Sequence, residues 1–199
     1  MGLPKIAPYP LPTAAELPAA RGRWIPEPSR AALLVHDMQR YFLAAFAQDD
    51  APLAPAIQNL AHLLAHCRSA GIPVFYTAQR GHQDRRDRGL QADLWGPGMQ
   101  ASPEGDHVLV KHRYSAFQRS NLDTLMRARG RDQLLITGVY AHIGVLSTAT
   151  DAFQRDIETF VVADAVADFS RADHDLALHW IARTCGVPLT TDRLLEMLQ

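Results

Sequence analysis

The sequence predicts an α/β fold, a three-layer sandwich around a central parallel sheet of five to six strands. Three observations carry that prediction. Short apolar runs recur without polar alternation, as strands buried on both faces require. Most of these runs are followed by a segment with apolar residues at helical spacing. The 199 residues are 47% hydrophobic and 21% charged, the balance of a folded domain rather than a disordered chain.

The first run, Ala31-Ala32-Leu33-Leu34-Val35, precedes helical spacing over residues 52–69, which stops at Gly71. Val74-Phe75-Tyr76-Thr77 is the second run, followed by a long polar segment over 80–106 with a sharp turn at Gly96-Pro97-Gly98. Val108-Leu109-Val110 is the third, and a helix over 121–129 ends at Gly130. Leu134-Leu135-Ile136-Thr137 precedes a helix over 145–157, and Phe160-Val161-Val162-Ala163 a helix over 172–184. Val187-Pro188-Leu189 reads as a short edge strand, where proline is tolerated, before a last helix reaching Gln199. Residues 1–29 hold seven of the thirteen prolines and no amphipathic period. They read as an extended arm packed on a single domain over 30–199.

Composition removes several function classes. Twenty basic and twenty-one acidic residues leave a formal charge of −1, so no basic field draws the chain to nucleic acid. No apolar run reaches the roughly 18–20 residues that span a bilayer, and the proline-studded start lacks the pattern of a secretory leader. No membrane association is expected. Cys67 and Cys185 have neither metal nor redox spacing and read as buried free thiols in a reducing cytoplasm. Eighteen of the twenty cations are arginine; the two lysines are Lys5, in the arm, and Lys111, at the end of the third run.

In parallel sheets ligands bind beyond the carboxyl ends of the strands, near the switch in strand order. The first run ends in His36-Asp37-Met38-Gln39, the second in Ala78-Gln79, the third at Lys111, and the fourth opens into Gly138-Val139-Tyr140-Ala141-His142-Ile143-Gly144. A carboxylate, an amide, an ammonium and a glycine-bounded turn thus share one face. From spacing alone Asp37 is equally a turn or helix-cap residue and a catalytic acid.

The residues also resemble a known family. Leu33-Leu34-Val35-His36-Asp37-Met38-Gln39-Arg40-Tyr41-Phe42 looks like the opening strand of the isochorismatase-like hydrolases. Similar in turn are Tyr76-Thr77-Ala78-Gln79, Trp95-Gly96-Pro97-Gly98-Met99, Lys111-His112-Arg113-Tyr114-Ser115-Ala116-Phe117, Thr137 to Gly144, and Val162 to Ser170. Amidohydrolases of that superfamily use an aspartate, a lysine and a cysteine nucleophile. The resemblance carries the first two to Asp37 and Lys111, and the nucleophile position to Gly144, which has no side chain. The chain therefore resembles the branch that cleaves vinyl ethers. That branch includes the siderophore-pathway isochorismatases and the phenazine-pathway enzymes acting on 2-amino-2-deoxyisochorismate.

The resemblance implies a small chorismate-derived substrate, a homodimer, no metal and no cofactor. Asp37 and Lys111 are the implied catalytic residues, and Gln79, Arg88, Trp95, Tyr140 and the Gly144 amide the implied substrate contacts. Burial together with the substrate's own negative charge is expected to keep Asp37 protonated in the complex, and His142 to be a hydrogen-bonded core residue. The expected reaction is hydrolysis of 2-amino-2-deoxyisochorismate to trans-2,3-dihydro-3-hydroxyanthranilate and pyruvate. The alternative is isochorismate to 2,3-dihydro-2,3-dihydroxybenzoate and pyruvate; an amidohydrolase or a non-catalytic scaffold is the more distant reading. The chain departs from its relatives in the short Pro103-Glu104-Gly105-Asp106-His107 segment and in His112, and no carrier-protein module is expected in it.

Overall fold

Strand β1 (Ala31–His36) is buried along its whole length, and its alternate side chains enter opposite cores. Ala32 and Leu34 face one hydrophobic cluster, and Ala31, Leu33 and Val35 the other. This two-sided burial is what an apolar run without alternation demands. The structure, a computed structural model, describes residues 3–79 and 108–199.

Six parallel strands form the sheet, in the order β3-β2-β1-β4-β5-β6. The others are β2 (Val74–Ala78), β3 (Val108–Val110), β4 (Gln133–Val139), β5 (Glu158–Ala167) and β6 (Val187–Leu189). Helices α2 (Leu53–Ser69) and α6 (Thr191–Met197) cover one face with Leu60, Leu63, Cys67 and Leu194. The opposite face carries α3 (Leu122–Ala128), α4 (Leu146–Phe153) and α5 (Arg171–Thr184), which contribute Leu122, Met126, Ala149, Ala177 and Ile181. The α/β sandwich expected from the sequence is the fold observed, with the upper number of strands. Strand order reverses between β1 and β4, so the crevice for a ligand lies where those two strands end.

The arm before β1 contains one short 3-10 turn, Ala14–Glu16, and is pinned along its length, near its start by Ile6 and Tyr9. The Ile6 amide donates to the Ala45 carbonyl at 2.8 Å, and the Tyr9 hydroxyl accepts the Asp168 amide at 2.8 Å. Both thiols are buried and unpaired, and burial pushes the Cys67 thiol up to about 12. Among the described residues no helix is long and apolar enough to cross a membrane.

Several element boundaries differ from the sequence reading. The helix expected over 145–157 is a π-helical turn, Ala141–Val145, followed by α4, which stops early as Asp156 adopts a left-handed conformation (φ 59°). Strand β5 runs past the apolar Phe160–Ala163 core because Asp164 does not interrupt it; its Oδ1 instead accepts the Thr191 amide and hydroxyl at the start of α6. The short helix α1 (Arg40–Leu43) lacks any periodic signal, and α6 ends at Met197 instead of reaching Gln199. The segment at 103–107 lies outside the described residues.

Where β4 passes β1, Gly138 has φ +105°, and a Cβ there would overlap the His36 carbonyl oxygen and lie 2.8 Å from the His36 nitrogen. Backbone cannot yield as a flexible side chain does. Gly138→Ala is therefore expected to lower the free energy of unfolding by about 2–4 kcal/mol. Urea denaturation measures this, and a loss below about 0.5 kcal/mol would show that the strands separate easily there.

Candidate active site

Asp37 is the first residue after β1, and it holds a left-handed backbone (φ 50°) that few side-chain-bearing residues adopt. Its amide donates to Thr77 Oγ1 at 3.1 Å, and the Thr77 hydroxyl returns a bond to Asp37 Oδ1 at 2.7 Å. The turn is thereby locked to β2, and the carboxylate stays at the sheet's end instead of turning to solvent. Oδ2 meets Lys111 Nζ at 2.8 Å and Gln79 Nε2 at 3.4 Å. Asp37 and Lys111 are 4% and 0% exposed, so this ion pair is withdrawn from water.

The ammonium has three protons and three acceptors: Asp37 Oδ2, the Arg113 carbonyl at 3.0 Å and the Tyr114 carbonyl at 2.9 Å. Full satisfaction is what lets a lysine stay charged in such a place. Burial works to raise the Asp37 pKa, but the Lys111 ammonium, His36 and the hydrogen bonds outweigh it, holding the carboxyl below the usual carboxylate range. Lys111 moves down from its ordinary value because burial exceeds the pull of Asp37. Without ligand, then, Asp37 is ionised; the protonated acid expected from the sequence is a statement about the substrate complex.

The cavity over this pair is lined by Phe42, Val139, Tyr140 and Ile143 along with His36, Gln79 and Gly144. Gln79 is positioned through its backbone: its amide donates to Gln39 Oε1 at 2.8 Å, and Gln39 Nε2 donates to its carbonyl at 2.9 Å. Tyr140 supplies a ring, stacked on Phe169 with centroids 4.2 Å apart, while its hydroxyl donates to the Phe42 carbonyl at 2.7 Å. Burial also pushes that phenol's pKa up. Its proton is committed to the protein, so the expected substrate contact is through the ring.

The Gly144 amide, an implied substrate contact, donates to the Tyr140 carbonyl at 3.1 Å inside the π-helical turn. Arg88 and Trp95 lie outside the described residues.

Sequence reasoning gave His36, Gln39, Thr77 and Tyr114 no role beyond their places in the strand ends and motifs. The available signal was a polar residue at the inward end of an otherwise apolar strand, which His36 and Thr77 both show. It also left His142 and Asp168 unconnected. His142 Nδ1 in fact lies 2.7 Å from Asp168 Oδ1, and the His142 amide donates to Asp168 Oδ2 at 2.6 Å. With Asp173 they form the one group of three metal-capable side chains among the described residues. Its nearest carboxylate oxygens already accept backbone N–H groups. His142 is half-buried rather than a core residue, and Asp168 raises its pKa.

Residues 31–193 match the isochorismatase domain family. The chain belongs to that family. It is 49% identical to the phenazine biosynthesis protein PhzD1 of Pseudomonas aeruginosa, over 98% of this chain and 99% of that protein. To the isochorismatase of Bacillus subtilis it is 48% identical, over all of this chain and 68% of that protein. Among solved structures, a cysteine hydrolase from Pseudomonas syringae superposes with a TM-score of 0.77 at 26% identity, covering 90% of this chain and 96% of that one.

The buried pair makes a stability prediction with a definite sign. Lys111→Met leaves Asp37 buried without its partner, at a cost of about 3–5 kcal/mol at pH 7. In the native chain the Asp37 pKa is depressed, so its contribution is complete above the unfolded value of about 3.9 and lost as pH falls through the folded value. In the variant burial, the largest influence on Asp37, is no longer opposed by the Lys111 ammonium but only by His36 and the Thr77 and Gln79 hydrogen bonds, so that pKa rises and acid relieves the strain. Denaturation at pH 7 and pH 4 should show the deficit shrinking in acid; a pH-independent deficit would mean that Asp37 is not ionised against Lys111.

Proposed function

We propose that the chain hydrolyses the enolpyruvyl ether of 2-amino-2-deoxyisochorismate, releasing pyruvate and trans-2,3-dihydro-3-hydroxyanthranilate. The observation that carries the reading is a buried carboxyl–ammonium pair in a cavity with no nucleophilic side chain at position 144. Such a site is equipped for proton transfer rather than for an acyl-enzyme.

Protonation of the terminal methylene carbon by Asp37 turns the vinyl ether into an oxocarbenium ion, with the π electrons forming the new C–H bond. The carboxylate left behind, held by Lys111, stabilises that cation electrostatically. Water adds to the cationic carbon and returns its proton to Asp37. The hemiketal then collapses, its C–O bond breaking as its hydroxyl proton passes to the ring oxygen. Two carboxylates of the substrate enter the same low-dielectric space as Asp37, and this like charge drives the proton uptake that the free site resists. In this scheme Gln79 and Arg88 meet the substrate's carboxylates, while Trp95 and Tyr140 wall the ring. Gly144 supplies room rather than a donor.

Isochorismate is the second reading, supported by the 48% identity to the Bacillus isochorismatase; the 49% identity to the phenazine protein supports the amino compound. We also propose that the protein acts in the cytoplasm as a homodimer, as the family resemblance implies.

Pyruvate release, coupled to lactate dehydrogenase, tests the reading with each substrate in turn. The amino compound should give the higher kcat/KM, and no pyruvate from either, with the protein folded, would overturn the proposal in favour of a scaffold. The pH profiles supply a second test. The kcat/KM limb reports the free enzyme and the kcat limb the complex, so activity should fall with rising pH at a higher pH for kcat than for kcat/KM. Coincident limbs would show that substrate does not shift Asp37.

A further inference from the structure

His36 is a fully buried imidazole lining the cavity, and the mechanism above gives it no task. Its Nδ1 lies 2.9 Å from the Val139 carbonyl at the end of β4, and its Nε2 lies 3.2 Å from the Tyr114 carbonyl beyond β3. Asp37 Oδ2 is 3.8 Å from Nδ1. As a neutral imidazole the ring donates its single N–H to one of these two carbonyls, and that bond together with complete burial holds it in place.

Opposite the ring stands Gly144. A Cβ on that residue would overlap His36 Cε1 and lie 2.9 Å from Nε2 and 3.0 Å from Nδ1, well inside ordinary carbon–nitrogen contact. The obstacle is the body of a rigid, hydrogen-bonded ring rather than the end of a flexible chain. The φ of Gly144 is not in the left-handed region, so space alone, and not backbone conformation, excludes a side chain there.

We propose that His36 determines the reaction class of this site: its imidazole occupies the volume that any side chain on residue 144 would need, and so commits the cavity to chemistry without a nucleophile. The inference rests on the nucleophile-free reading above. It adds that residues 36 and 144 act as a complementary pair, so that placing a thiol at 144 requires removal of the ring as well. Burial pushes the imidazole down to about 4, which makes it a neutral space-filling group at pH 7.

A double-mutant cycle on the full-length protein tests the pair. Gly144→Ala in the native background should lower the thermal midpoint by about 5–10 °C through overpacking and cut kcat sharply. The same substitution in a His36→Ala or His36→Asn background should cost less than about 2 °C, because the ring is gone. In the His36→Ala/Gly144→Cys variant the introduced thiol faces the cavity and should be alkylated by iodoacetamide, with the buried Cys67 and Cys185 unmodified. Equal cost of Gly144→Ala in all backgrounds, a Gly144→Ala protein with native midpoint and turnover, an inert introduced thiol, or failure of all three double variants to fold would each overturn the proposal. The midpoint and alkylation readouts involve no substrate. A native protein that releases no pyruvate would therefore defeat the proposed function while leaving the steric pair to be judged on its own cycle.

Discussion

A carboxylate and an ammonium held 2.8 Å apart, both almost wholly removed from water, set the demands that the rest of the structure meets. Two charges in such a place cost several kcal/mol each to desolvate, and their attraction offsets this only if the remaining lone pairs and protons are also satisfied. Asp37 accordingly takes bonds from Thr77, Lys111 and Gln79, and Lys111 spends its other two protons on the Arg113 and Tyr114 carbonyls. Those partners come from the ends of β1, β2 and β3 and the turn after β3. They converge only because three parallel strands end together in the register observed. Asp37 accepts a left-handed backbone as part of the same arrangement; strain of this kind persists where surroundings over-determine it.

The other wall of the cavity is built by β4. Its exit closes onto β1 at Gly138, turns through the π-helical segment, and presents an aromatic layer of Tyr140 stacked on Phe169 and Phe46. Apolar rings on one side and a buried ion pair on the other suit a cyclic substrate whose reacting group must be shielded from water except for the one molecule consumed. The arrangement also contains an opposition. The pair is stable because Asp37 is ionised, while vinyl-ether protonation needs it protonated. In the proposed mechanism the substrate's own negative charge resolves this, by making the ionised carboxylate the less favourable form at the moment it is needed.

The layers of this fold were legible because strands buried on both faces leave an unmistakable apolar record; β1, β3 and β6 match their sequence runs to within a residue. Strand β5 was only partly legible, since Asp164 reads as an interruption until Thr191, distant in sequence, is seen to satisfy it. The π-helical turn left no periodic trace. Asp37, Gln79 and Lys111 could be placed on one face from strand ends alone, but their mutual distances could not. The bond from the Gly144 amide to the Tyr140 carbonyl was not legible, because it belongs to that same π-helical turn. His36 and Gly144 are far apart in sequence and fit only in space, so no spacing rule connects them.

The central claim is that Asp37 hands a proton to carbon, and Asp37→Asn tests it most directly, since the amide keeps the side chain's shape and removes its acid. Turnover should be measured by pyruvate release and substrate affinity by calorimetry on the same preparation. The account predicts a fall in kcat of about 10²- to 10⁴-fold with affinity preserved within about tenfold. Turnover within about threefold of the native protein would contradict it, because a general acid on the reaction path cannot be dispensed with so cheaply.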